Sequence, residues 1–89
     1  MPEPPTPSVV AFGRAIRLRR RIRELSQETL AARAGISSNH LGEIERGRRD
    51  PRLTTALRVV AALELSRHER SLLWDEVFGE GGDPWPGAG

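Results

Sequence analysis

The chain has 89 residues, no Cys, and 37% hydrophobic against 29% charged content, which fits one small domain and excludes a multidomain enzyme. A domain of this size buries only roughly 60–65% of the surface its unfolded chain exposes, so a second subunit is a natural source of extra burial. The longest apolar runs, such as Val59 to Leu63, are far too short for a bilayer span, and the Met-Pro-Glu-Pro-Pro start has neither the basic nor the apolar region of a signal peptide; a cytoplasmic location is expected.

All 14 basic residues are Arg, and they are unevenly spread. Residues 1–49 hold ten Arg against five acids, a net +5, whereas residues 50–89 hold four Arg against seven acids, a net −3. The formal +2 of the whole chain therefore conceals a basic half. Arg presents a planar, permanently charged fork that matches phosphate oxygens and the guanine edge, so the asymmetry points toward nucleic acid more than toward a membrane. Genome composition accounts equally well for the absence of Lys.

In chain order, residues 1–8 contain four Pro and read as an extended, disordered lead. No repeat and no alternating apolar stretch of strand length follows, so the middle, residues 9–78, is expected to be all-α, a five-helix bundle. Ser8 is the expected cap of a first helix running through Phe12, Ile16 and Ile22 toward Arg23. Ser26 caps a second, about 27–34, that stops at Gly35, and Ser37 caps a third, about 38–46, that stops at Gly47. Asp50-Pro51 marks the turn before a fourth, about 53–63, with Leu53, Ala56, Leu57, Val60 and Leu63 along one stripe. Ser66 and Glu69 form a capping box that opens a fifth helix through Phe78. Residues 79–89, rich in Gly and Pro with Trp85 as the only large apolar group, read as a flexible tail.

The segment from Gln27 to Arg46 carries the strongest local signal. Ala31 is small where two helices must cross, Gly35 supplies a left-handed turn, and Leu30, Ala34, Ile36, Leu41 and Ile44 are spaced to share an apolar interior. With both Ser caps these make a helix-turn-helix signature. On these residues, together with Phe12-Gly13, Ile16-Arg17, Arg20, Leu25-Ser26-Gln27-Glu28 and the run Ile44-Glu45-Arg46-Gly47-Arg48-Arg49-Asp50-Pro51, residues 12–66 resemble a Cro/CI-type helix-turn-helix domain of the XRE family, with a lambda-repressor-like fold. The resemblance implies sequence-specific binding to duplex DNA, usually as a dimer, in transcriptional control.

At 100° per residue, Ser38, Asn39, Gly42, Glu43 and Arg46 share one polar face of the third helix, with Leu41 and Ile44 opposite. Asn39 has the donor and acceptor that suit adenine, Glu43 could accept from a cytosine amino group, and Ser38 could bond several base edges. Gly42 at the centre of that face is expected to allow close backbone approach to DNA. Phosphate contacts are expected from Arg17, Ser37, His40, Arg46, Arg48 and Arg49, and the resemblance adds Gln27. It also assigns Arg20 and Glu45 to an ion pair tying the first helix to the reading helix. Arg14, Arg19, Arg21 and Arg23 read as a solvated helix face that steers DNA at long range. Glu24, Arg19 and Arg52 depart from the family pattern, at a usual Gly, Leu and Ser/Thr cap respectively, and leave the helix ends less defined.

The fifth helix is more apolar than one packed face requires, and Leu72, Leu73, Trp74, Val77 and Phe78 are the candidates for a homodimer interface. Two isolated His, no Cys, no phosphate loop and no nucleophile beside a base leave no catalytic residue to name. His40 and Glu43 have the spacing of a metal pair without a third ligand, so neither a metal nor a cofactor is expected. A transcriptional regulator without catalytic activity is the leading reading. An antitoxin that binds a protein toxin and represses its own operon, or a restriction-modification controller, is the alternative.

Overall fold

The computed structural model describes residues 6–79, so most of the expected lead and tail, Trp85 included, lies outside the described residues. The described chain is all-α, with α1 (Pro7–Ile22), α2 (Gln27–Ala34), α3 (Ser38–Glu45), α4 (Leu53–Ala62) and α5 (Arg67–Phe78). The main helix contacts form an open path: α4 packs on α2, α2 on α3, α3 on α1, and α1 on α5.

The helix ends explain this arrangement. Ser26 and Ser37 accept from the backbone N–H groups of Thr29 and His40 at 3.0 Å each, which satisfies donors that the first helical turn leaves without partners. Gly35 is left-handed at φ 75°. Its N–H reaches the Ala32 carbonyl at 3.2 Å, and the Ile36 N–H reaches that of Ala31 at 3.0 Å, closing a Schellman turn. The same paired bonds close α3 at Gly47 and α1 at Glu24. At Glu24 a non-glycine residue holds φ 56°, a conformation that costs an ordinary side chain roughly 1–2 kcal/mol. Glu64 after α4 does likewise, at φ 54°. Arg52 caps α4 with no side-chain hydrogen bond, whereas Ser66 and Glu69 complete both bonds of the capping box on α5.

Three expectations about the fold need correction. The first helix is capped by Thr6, whose Oγ1 accepts from the Val9 N–H at 3.3 Å, and not by Ser8. Pro7 occupies the first turn, where its missing N–H would have had no partner and its fixed φ already suits a helix. On α4 the inward face is turned toward Val59, fully buried with Val60 and Leu63, while Leu53 is 64% exposed. Leu53 sits instead on the rim of a surface hollow beside Trp74 and Phe78.

Ile16, Leu30, Leu41, Ile44, Val59, Leu63 and Leu73 are fully buried. They join all five helices in one core. Trp74 lies between Phe12 and Phe78, with ring centroids 6.1 and 6.0 Å away. Arg19, expected in a solvated face, is instead largely covered at 12% side-chain exposure. It donates through both terminal nitrogens to Glu76 at 2.9 Å. Arg23 reaches Glu69 at 3.1 Å, so two ion pairs one turn apart fasten α5 to α1. The close approach of α1 to α3 depends on Gly13. A Cβ there would overlap the Ile44 carbonyl oxygen and come within 2.9 Å of that of Glu45.

Two outcomes follow from this packing. Gly13→Ala is expected to destabilise the fold by about 3 kcal/mol, read as a lowered denaturant midpoint, because backbone and not a mobile side chain occupies the space. Bonds from Ser66 hold Glu69, and the Arg19 bond holds Glu76, below the ordinary carboxylate value of 4.5. Groups depressed on folding contribute stability above their unfolded value and lose it as pH falls through the folded one. Melting followed by circular dichroism is therefore expected to weaken below about pH 4.5, and Glu69→Gln with Glu76→Gln should reduce that dependence.

Candidate nucleic-acid interface

The third helix is amphipathic by construction. Ser37 starts it, Leu41 and Ile44 have no exposed surface, and the opposite side carries Asn39 and Arg46 exposed, with Ser38 and Glu43 half-buried. Its rotation is held by a charged contact at its last turn. Arg20 Nε and Nη2 donate to the two carboxylate oxygens of Glu45 at 2.7 and 3.0 Å, and Arg20 Nη1 donates to the Leu25 carbonyl at 2.9 Å. The hydrogen bond to Glu45 raises the Arg20 pKa above its ordinary value, against the lowering effect of burial. The pair is nearly dry, at 11% and 2% side-chain exposure. Removing one partner of such a pair would cost about 3–5 kcal/mol, because the other charge would be stranded in the interior.

Gln27 is part of this cluster. Its Nε2 donates to Glu45 Oε1 at 3.1 Å, so the half-buried side chain expected on phosphate also seats the start of α2 on α3. Gly42 differs from expectation too. It is buried, with the Arg46 guanidinium over the place a side chain would take: a Cβ would lie 3.2 Å from Nη1. Arg46 in turn donates to Glu43 Oε1 at 2.9 Å. The missing side chain thus accommodates a folded-back arginine, and two residues expected to contact DNA separately are paired with each other.

Ser37 is engaged in its cap. Arg17, Arg48 and Arg49 are exposed, and none forms a salt bridge among the described residues. His40 is half-buried. Between α1, α2 and α3 lies a hollow of about 400 Å³ bordered by Arg17, Arg21 and Arg46 with Arg20, Gln27, Glu28 and Glu45. Arg21 was missed as a local contributor, although its spacing of one turn from Arg17 was visible. No three His, Cys, Asp or Glu are grouped to hold a metal among the described residues, and no described helix is long and apolar enough to cross a membrane.

The five dimer candidates separate. Leu73 and Val77, one turn apart on α5, are buried in the chain's own core and are not available to a second chain. Trp74 is half-buried. Leu72 and Phe78 remain exposed, at 45% and 47%.

The helix-turn-helix domain family matches residues 11–73. The chain is 42% identical over 58 residues to an uncharacterized HTH-type transcriptional regulator, y4dJ, of Sinorhizobium fredii, spanning 65% of this chain and 75% of that relative. A second regulator from the same organism, y4dL, is 38% identical over 50 residues, which is 56% of this chain and 26% of that longer protein. Among solved structures, the restriction-modification controller protein C.AhdI from Aeromonas hydrophila superposes with a TM-score of 0.63 at 38% identity, covering 68% of this chain and 92% of its own. The match spans both helices of the capped turn, the Arg20–Glu45 contact and most of α5, and the chain belongs to the helix-turn-helix family.

Proposed function

We propose that the protein is a non-catalytic, sequence-specific reader of duplex DNA that acts in transcriptional control, with α3 lying in the major groove. The observation that carries this reading is the exposed polar side of α3, set beside exposed Arg17, Arg48 and Arg49 while Leu41, Ile44 and Glu45 are locked inside. Cations around a polar helix supply the phosphate grip that positions a reader, and the helix side chains supply the base contacts. Asn39, exposed and with its side chain in no hydrogen bond among the described residues, is the principal reader, with Ser38 and Glu43 beside it. His40 and Arg46 join the three exposed arginines on the backbone. Likeness to C.AhdI over 92% of that chain favours, as the more specific reading, control of a restriction-modification operon.

A two-fold dimer completes the reading. Leu53, Trp74 and Phe78 border an apolar hollow of about 490 Å³, the surface at which two copies would join, and reading two half-sites requires their α3 helices to stand about 34 Å apart, one turn of DNA.

Selection of bound sequences from a random duplex pool is expected to yield a two-fold symmetric motif. Asn39→Ala should change which sequences are enriched, whereas Arg48→Ala should weaken all of them and flatten the salt dependence by about one ion; equal weakening on every sequence by both variants would refute this division of roles. Light scattering at high micromolar concentration should give a dimer mass, and Phe78→Ser should return the monomer with an unchanged circular dichroism spectrum.

A further inference from the structure

Arg46 lies between two anion positions. Its Nη2 holds the Glu43 carboxylate at 2.9 Å, and the same residue borders the hollow of about 400 Å³ that Arg17 and Arg21 share. Within that hollow Arg20 and Glu45 neutralise each other. Arg17, Arg21 and Arg46 then face it with Glu28 as the remaining acid, an excess of positive charge in a space large enough for a phosphate group. Neither Arg17 nor Arg21 forms a salt bridge among the described residues.

The hold of Glu43 on Arg46 is weak enough to exchange. Both side chains are partly solvated, at 45% and 33% exposure, and ion pairs of this kind gain little over water. A phosphate oxygen flanked by two further guanidinium groups is the stronger partner. Gly42 adds no side chain of its own beneath the Arg46 guanidinium, where a Cβ would lie 3.2 Å from Nη1.

Resting on the DNA-reading function proposed above, we propose that Arg46 is a shared counter-ion that couples backbone grip to base readout. In the unbound protein it masks Glu43, so the reading face does not present a bare carboxylate to the phosphates it approaches. On the cognate duplex it moves to the backbone phosphate beside Arg17 and Arg21, and the released Glu43 carboxylate accepts from the N4 amino group of a cytosine. Where the facing base offers no amino group, Glu43 keeps Arg46 and the phosphate contact is not made. A contact that is formally independent of sequence thereby becomes dependent on it.

The test uses the full chain, the duplex enriched by the wild-type protein, and an unrelated duplex, with affinity measured by fluorescence anisotropy across a salt series. Arg46→Ala is expected to flatten the slope of log affinity against log salt by about 0.9, one ion, on the enriched duplex and to leave it unchanged on the unrelated one. Glu43→Gln should steepen the slope on the unrelated duplex by the same amount and lose discrimination at one base pair; the double variant should return the wild-type slope there. Equal flattening on both duplexes by Arg46→Ala, or no change on the unrelated duplex with Glu43→Gln, overturns the coupling while leaving the DNA reading intact. Failure of the wild-type protein to enrich any sequence overturns the DNA reading and this proposal with it. Unchanged melting temperatures of the variants establish that these effects are not losses of fold.

Discussion

The arrangement of the third helix depends on one buried charge contact, between Arg20 of α1 and Glu45 of α3. Each member is satisfied beyond the pair itself, Arg20 by the Leu25 carbonyl and Glu45 by Gln27, and no buried side-chain polar atom lacks a partner among the described residues. A buried ion pair contributes little net stability over a well-packed apolar replacement. What it supplies here is orientation, because a directional contact at the last turn of a helix only eight residues long determines which side of that helix faces outward. Leu41 and Ile44 alone would tolerate some rotation about the axis; the bidentate fork does not.

Around this contact the molecule divides into parts with different rigidity. The three helices that meet near Glu45 approach closely, with Gly13 against the carbonyls of Ile44 and Glu45 and Gly47 against Val10. The fifth helix is joined mainly to α1, by the Phe12–Trp74 stacking contact, the buried Leu73 and two ion pairs whose carboxylates are open to solvent. Its anchoring is partly electrostatic and so responds to salt and acid more than the central three helices do.

Much of the fold was legible in the residues because it is enforced locally. Ser26, Ser37 and Ser66 each cap the helix their position implies, and Gly35 and Gly47 take the left-handed geometry that ends α2 and α3. Short-range chemistry also explains why the first helix begins before Ser8, since Pro7 in the opening turn is compatible with a helix that Thr6 caps. What could not be read was tertiary in origin. Leu53 and Val59 exchanged roles through a rotation of α4 that no periodicity specifies. Arg19 left the expected solvated group because Glu76, distant in the chain, lies across from it. In the candidate site, the placement of Asn39 and the buried side of α3 followed from helical angles, but the Gln27–Glu45 and Glu43–Arg46 bonds depend on side-chain choices that spacing leaves open.

Under the proposed DNA reading, the third helix keeps its two duties on separate residues. Ser37, Leu41, Ile44 and Glu45 hold it in place, while Ser38 and Asn39 bear none of that weight. A duplicated copy of this gene could therefore drift to a new target through changes at those outward positions alone, since they are uncoupled from folding. Glu43 differs from them, because its 2.9 Å contact with Arg46 ties any change there to a second residue of the same face.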